Sequence, residues 1–219
     1  LLIGAGGLGS ASALYLAAAG VGEITIVDDD IISLSNLQRQ VIHQTKNIGM
    51  LKVDSAKTNL QQLNPGIKIN ACPQRLCENN IGSLFKNVDL VIDGSDNLDT
   101  RYLVNDSCFI GEIPLVYAAV FQYEAQLSSF DFRIKNSACL RCLFPQTDGF
   151  EPANCSTEGV LGVVPGFAGV LQACEAIKLL TGVGKPLQQR LQVINLLDNS
   201  FNSFRFSPSK DCQNNHFSK

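Results

Sequence analysis

The chain has 219 residues, 45% of them apolar and 17% charged, a balance that fits one globular α/β domain with a sizeable core. A net charge of −3 leaves no basic footprint for nucleic acid or for an anionic membrane, so neither is expected as a partner. No apolar run reads as long enough to span a bilayer and nothing resembles a signal peptide, which points to a cytoplasmic protein.

The opening "LLI" reads as a short buried strand. There is no initiator Met and Leu1 already lies inside that strand, so a first segment is expected to be missing. An Ala-rich helix follows over Leu8 to Gly20, then a strand "EITIVD", a helix from Leu51 to Leu63 stopped by "NPG", and strands "IKINA" and "VDLVIDGSD". A helix from Leu98 to Gly111 and a strand "IPLVYAAV" complete the alternation, which predicts a doubly wound, Rossmann-like, mostly parallel sheet. Beyond Ala119, "EAQLSSFDF" and "RLQVINLLDNSFNSFRF" read as antiparallel C-terminal strands, separated by a helix over Val163 to Leu180. Residues 145–160 carry little periodicity and read as a long, mobile crossover loop within one domain spanning 1–219.

Gly4, Gly6 and Gly9 satisfy G-x-G-x-x-G between a strand and a helix, where backbone N–H groups and the helix N-terminus can hold phosphate. Asp28 closes the second strand, where a carboxylate can take ribose hydroxyls. A nicotinamide dehydrogenase fits that much, but needs a proton-handling group; the chain has only His43 and His216, and no tyrosine with a lysine four residues on. Asn36, Arg39 and Gln40 fall just beyond the second strand and Lys52 opens the next helix. Asp96 and Asn97 lie at the end of the fourth strand. A triphosphate needs such cations, and Mg²⁺ needs such a carboxylate.

In this order, "GAGGLGS", "DDD…LSNLQRQ", Lys52, "DGSDN", "CLRC" and "GVLQACEAIKLLTG" resemble the ThiF/MoeB/HesA family, bacterial relatives of ubiquitin-activating enzymes. The resemblance implies a homodimeric, ATP-dependent adenylyltransferase acting on the C-terminal glycine of a ubiquitin-like sulfur-carrier protein, with a cysteine desulfurase or another sulfur donor as a further partner. It implies that Gly6 and Gly7 cradle phosphate and Asp28 holds the ribose. Asn36, Arg39 and Lys52 would hold the triphosphate, and Asp96 the Mg²⁺. In the family, helices before the first strand dock on the partner subunit, and these belong to the segment expected to be missing here.

The eight cysteines do not read as a disulfide framework: Cys72, Cys108 and Cys174 sit alone in apolar segments, as buried thiols do in a reducing compartment. Cys139 and Cys142 have the spacing of half a tetrahedral zinc site. The family completes that site with a C-x-x-C near the C-terminus. Here Cys212 matches the first of these, Asn215 stands in place of the second, and His216 follows, so the site is either Cys₃His or lost. Cys155, in "EPANCSTEGV", resembles the ThiF cysteine that links covalently to the activated carrier. The expected function is therefore ThiF-like activation of a ThiS-like carrier for thiamine thiazole synthesis. MoeB-like activation of the molybdopterin synthase carrier, a carrier-binding protein that has lost catalysis, and a dehydrogenase are the alternatives.

Overall fold

The structure is a computed structural model and describes residues 1–145 and 159–210. Eight strands form one sheet in the order β3-β2-β1-β4-β5-β6-β7-β8. Five are parallel: β1 (Leu2–Ile3), β2 (Glu23–Val27), β3 (Lys68–Cys72), β4 (Val91–Asp93) and β5 (Leu115–Phe121). The sheet then continues antiparallel through β6 (Glu124–Phe130), β7 (Arg190–Asn195) and β8 (Ser200–Arg205), as the sequence pattern predicts.

Strand side chains alternate between two buried layers, because successive residues of a strand point to opposite faces. Leu2, Ile26, Ile92 and Val116 pack in one layer with α1 (Gly7–Ala18), α2 (Lys52–Leu63) and the helix Val163–Thr181. Ile3, Val27, Val91, Leu115 and Tyr117 pack in the other with α3 (Glu78–Leu84), α4 (Leu98–Ile110) and the single turn α5 (Leu140–Leu143). Burial on both faces explains why these strands read as continuous apolar runs. The helix Val163–Thr181 is α6. It crosses α1 so closely that a Cβ on Gly169 would stand 2.4 Å from Leu8 O. Ser12 Oγ fills the crossing, donating to Leu8 O at 2.9 Å and lying 3.1 Å from both Gly169 O and Gln172 Oε1.

Two short helices were not expected, and two expectations need correction. The segment between β3 and β4 contains α3, whose sequence "ENNIGSL" buries only Ile81 and is too short and polar to show a helical period. The turn α5 is likewise too short for one. Cys174 is exposed and Cys72 half-buried, whereas Cys108 is buried; Cys174 lies on the outer face of α6. And α6, with 19 residues and a mean hydropathy of 1.4, does reach membrane-spanning length and composition. Half of that window is buried, against α1 and strands β5 and β6, which is the situation of a core helix.

Candidate active site

In this strand order the chain leaves β1 toward one edge of the sheet, and β4 lies on the other side of β1. The crevice beyond the carboxyl ends of β1 and β4 is the topological switch point, where open α/β sheets bind ligands. A cavity of about 580 Å³ lies there. Its walls are the glycine loop after β1, Asp28–Asp30 at the end of β2, Asn36, Arg39, Gln40 and Lys52 beyond it, the turn Gln74–Leu76 after β3, and the turn from β4 into α4. Val120 of β5 and Gly159, Val160 and Pro165 close it from the side of α6.

The glycines divide the work. Gly4 has φ +89°, and a Cβ there would lie 2.8 Å from Gly94 O; a Cβ on Gly9 would lie 2.0 Å from Gly4 O. These two let the loop fold tightly onto β4 and α1, and Gly9 is the one glycine of the motif that does not line the cavity. Above Gly6 the nearest atom is Gln40 Nε2 at 3.9 Å, so backbone is open to the cavity there. Gly7 packs on Pro165, 2.9 Å from where its Cβ would be. Helix α1 starts at Gly7 with no side-chain cap and no acidic residue in its first turn. Its first N–H groups and the positive end of its dipole are thus available to an anion.

Asp28 anchors this loop. Its Oδ2 accepts from Ala5 N at 2.8 Å and its Oδ1 from Asp30 N at 2.9 Å. Burial raises its carboxyl pKa above the ordinary value, opposed by Lys52 and by those two N–H groups. Each oxygen keeps a second lone pair for a hydroxyl. Lys52 is buried, with Nζ 2.6 Å from Asp30 Oδ2. Asn36 Oδ1 accepts from Ser33 N at 3.2 Å, and Arg39 Nη1 donates to Ser35 O at 3.2 Å, so both side chains brace the turn that carries them. Gln40 is 3% exposed, and its Oε1 has no partner among the described residues. A buried amide oxygen without a partner is costly unless a ligand or water satisfies it.

Asp96 is exposed at the cavity mouth. Asn97 lines the cavity too, but its Oδ1 accepts from Thr100 N at 2.9 Å and so caps α4. Beneath them Asp93 is fully buried, with Oδ1 accepting from Ser95 N at 2.9 Å and Ser95 Oγ at 2.6 Å. Burial pushes its carboxyl pKa up. This local turn holds the backbone that presents Asp96.

Sequence reasoning missed the pairing role of Asp30, the turn Gln74–Leu76 and Arg101. Arg101 lies one helical turn after Asn97, with Nη2 donating to Ser95 O at 2.9 Å and the guanidinium 5.6 Å from the Tyr117 ring centroid. That i+4 spacing was the available signal. The turn Gln74–Leu76 carries no motif; only the strand order brings it to the cavity.

Cys139 and Cys142 stand apart from this cavity, with Sγ atoms 3.9 Å apart. Two thiolates on one tetrahedral zinc, each at about 2.3 Å, are about 3.8 Å apart, so the pair fits half of such a site. Ser209 N donates to Cys142 Sγ at 3.4 Å, which brings the chain back to the pair three residues before Cys212. Cys212, Asn215, His216 and Cys155 lie outside the described residues.

A strand–glycine loop–helix at a switch point, a carboxylate at the end of β2 and a polar cavity of nucleotide size define a Rossmann-type nucleotide-binding domain. Residues 1–214 match the ThiF family, and the chain belongs to it. It is 41% identical over 215 residues to the SAMP-activating enzyme E1 of Haloferax volcanii, covering 97% of this chain and 78% of that protein. It is 40% identical over 217 residues to the sulfur carrier protein adenylyltransferase of Thermus thermophilus, covering 97% and 80%. Against the adenylyltransferase and sulfurtransferase MOCS3 of Culex quinquefasciatus it is 42% identical over 214 residues but spans 48% of that protein's length. The crystal structure of Escherichia coli MccB with ATP superposes with a TM-score of 0.82 over 96% of this chain and 64% of that one; at 22% identity this likeness concerns the fold alone. By family and relatives the chain is an adenylyltransferase.

Proposed function

We propose that this domain uses ATP to adenylylate the C-terminal glycine of a ubiquitin-like sulfur-carrier protein. The observation that carries the reading is the convergence of the glycine loop, Asp28, Asn36, Arg39, Gln40, Lys52 and Asp96 on one cavity at the β1/β4 switch point, in a chain of the ThiF family. Open backbone at Gly6 and the start of α1 suits phosphate, and the free lone pairs of Asp28 suit ribose hydroxyls.

A carboxylate oxygen of the carrier attacks the α-phosphorus of ATP, the bond from that phosphorus to the bridging oxygen breaks, and pyrophosphate leaves with the electron pair. The protein's part would be to align the two reactants and to neutralise charge on the leaving group, a role that Arg39 and Lys52, both lining the cavity, would take. Asp96, an exposed carboxylate at the mouth, is the residue that would hold Mg²⁺, and the ion would add positive charge beside the phosphates. The Cys139–Cys142 pair would hold zinc structurally, completed by Cys212 and His216.

A ThiS-like carrier in thiamine thiazole synthesis is the finer reading, supported by the ThiF-like "EPANC" around Cys155. A molybdopterin synthase carrier is the alternative. A homodimer belongs to the same reading, and Ile31, Leu34, Val41, Ile48 and Met50, exposed along one segment beside the cavity, support it. Carrier-dependent exchange of labelled pyrophosphate into ATP tests the reaction: exchange is expected, and its absence with every carrier, or reduction of a nicotinamide instead, overturns it. Cys155→Ser tests the finer reading. It should leave exchange close to wild type and abolish a reductant-sensitive protein–carrier adduct formed with a sulfur donor; absence of that adduct in wild type favours the molybdopterin carrier.

A further inference from the structure

The adenylylation mechanism does not use His43. It is nevertheless 6% exposed and lies directly against the glycine loop. Its Nε2 is 3.1 Å from Ala5 O, and its Nδ1 is 3.1 Å from Ser55 Oγ on α2. Asn47 Nδ2 donates to the same Ser55 oxygen at 3.1 Å. Ala5 O can only accept, so the ring proton sits on Nε2; in the neutral ring Nδ1 is then an acceptor, and Ser55, which accepts from Asn47, has its own proton to give it. The ring is kept neutral by burial, which lowers the His43 pKa, and by Lys52 nearby, which lowers it further; the bond to Ala5 acts the other way.

Ala5 is therefore held at both ends: its N–H by the carboxylate of Asp28 and its C=O by the imidazole of His43. Ala5 sits between Gly4, at φ +89°, and Gly6, where backbone opens to the cavity. Glycine-rich backbone has many accessible conformations, so a phosphate-ready loop needs outside anchors. We infer that His43 is a positioning residue for the nucleotide: through Ala5 O it fixes the loop whose N–H groups receive the phosphates, and Ser55 and Asn47 hold it in the donating tautomer. The inference rests on the nucleotide reading of the cavity and assigns His43 no contact with ATP or with the carrier.

The test measures the Kd for ATP with Mg²⁺, without carrier, alongside KM values in pyrophosphate exchange, in wild type, His43→Gln, His43→Phe and Ser55→Ala. A glutamine amide nitrogen can take the place of Nε2, so His43→Gln should bind ATP within about threefold of wild type. His43→Phe fills the space but cannot donate, and losing one buried hydrogen bond to the loop should weaken ATP binding roughly tenfold. Its KM for carrier should not change, a split that general loss of stability would not produce. Ser55→Ala, an easy substitution in a helix, frees the tautomer and should weaken ATP binding by about threefold. It decides the matter if His43→Phe does not fold. Wild-type ATP affinity in folded His43→Phe, or in Ser55→Ala where that variant must decide, overturns the inference. Wild-type protein that binds ATP but shows no exchange with any carrier overturns the adenylylation reading, while the Kd series still decides the role of His43. A wild type that binds no ATP overturns both.

Discussion

Lys52 and Asp30 are joined twice, Lys52 Nζ lying 2.6 Å from Asp30 Oδ2 and Lys52 N donating to Asp30 O at 2.9 Å. The ammonium is 7% exposed and the carboxylate 68% exposed, so the first residue of α2 holds a buried cation that leans on a solvated anion at the cavity wall. Such a half-exposed pair contributes modestly to stability, on the order of 1 kcal/mol. Its interest is competition, because an arriving triphosphate offers Lys52 a stronger anion than Asp30.

Asp30→Asn is therefore expected to lower the melting temperature of the ligand-free protein slightly while enlarging the rise produced by ATP, since the nucleotide no longer displaces a partner. Thermal melts with and without ATP in both proteins read this directly. An ATP-induced rise equal to or smaller than that of wild type would show that Lys52 keeps Asp30 when nucleotide binds. Lys52→Ala, by contrast, should weaken ATP binding and exchange together.

Asp96→Ala is expected to reduce carrier-dependent exchange by at least ~10²-fold, because it removes the carboxylate proposed to hold Mg²⁺ at the cavity wall. The fold should survive: Asp96 is exposed, and the turn that carries it is held by Asp93, Ser95 and the Asn97 cap rather than by Asp96 itself. Circular dichroism and melting temperature should match wild type while exchange collapses. Near-wild-type exchange would remove Asp96 from the mechanism.

The lowered pKa of His43 sets a pH dependence of stability. The folded ring resists protonation because it is buried, whereas the unfolded ring titrates near its ordinary value of 6.5. Below that value the unfolded chain binds the proton more readily, so stability is complete above pH 6.5 and falls as pH drops toward the lower folded-state pKa. His43→Gln cannot titrate. The difference in melting temperature, wild type minus His43→Gln, should be constant from neutral to alkaline pH and shrink below about 6.5; a difference independent of pH throughout would mean that His43 is not held neutral.

The parts of the site legible in the sequence are those encoded within one strand–loop–helix unit. Gly4, Gly6 and Gly9 announce themselves by spacing, Asp28 by following β2 directly, and Asp96 by its place in the turn after β4, and all but Gly9 line the cavity. Residues whose role depends on what faces them were not legible. Asp28 reads as a ribose ligand, yet the structure adds that it anchors the glycine loop through Ala5, a bond across 23 positions. His43 reaches the same residue across 38 positions, with no spacing rule to predict it. Asn97 reads as a ligand because it adjoins Asp96, but its oxygen is used as a helix cap. In the fold the same division holds: β5 and α6 were visible by period and length, while α3 hid because seven residues with one buried position give no period.

The cysteine pair carries the remaining prediction. An Sγ–Sγ distance of 3.9 Å already matches two thiolates of a tetrahedral zinc site, and the bond from Ser209 N to Cys142 brings the incoming chain alongside before Cys212. The pair is not in a loose surface loop. Cys139 is 1% exposed, and Leu140 N donates to Asn105 Oδ1 of α4 at 2.8 Å, so the sulfurs sit on backbone that the core already fixes. Arg141 reinforces this by binding Asp106 through Nη2 at 2.7 Å and by lying 4.4 Å over the Tyr102 ring. Preorganisation of half the site lowers the ordering cost of binding metal, and His216 can supply a fourth ligand where the family has a cysteine. Protein purified without chelator is thus expected to hold about one zinc per chain, released by thiol-reactive reagent and lost in Cys139→Ser. His216→Ala should weaken zinc retention against a competing chelator by about 10–100-fold, in the range seen when a metal site loses a supporting group, whereas Asn215→Ala should leave it unchanged. Protein that is folded, active and free of zinc would show that the change to Asn215 has abolished the site. Equal zinc retention in His216→Ala and wild type would show that the fourth ligand comes from elsewhere.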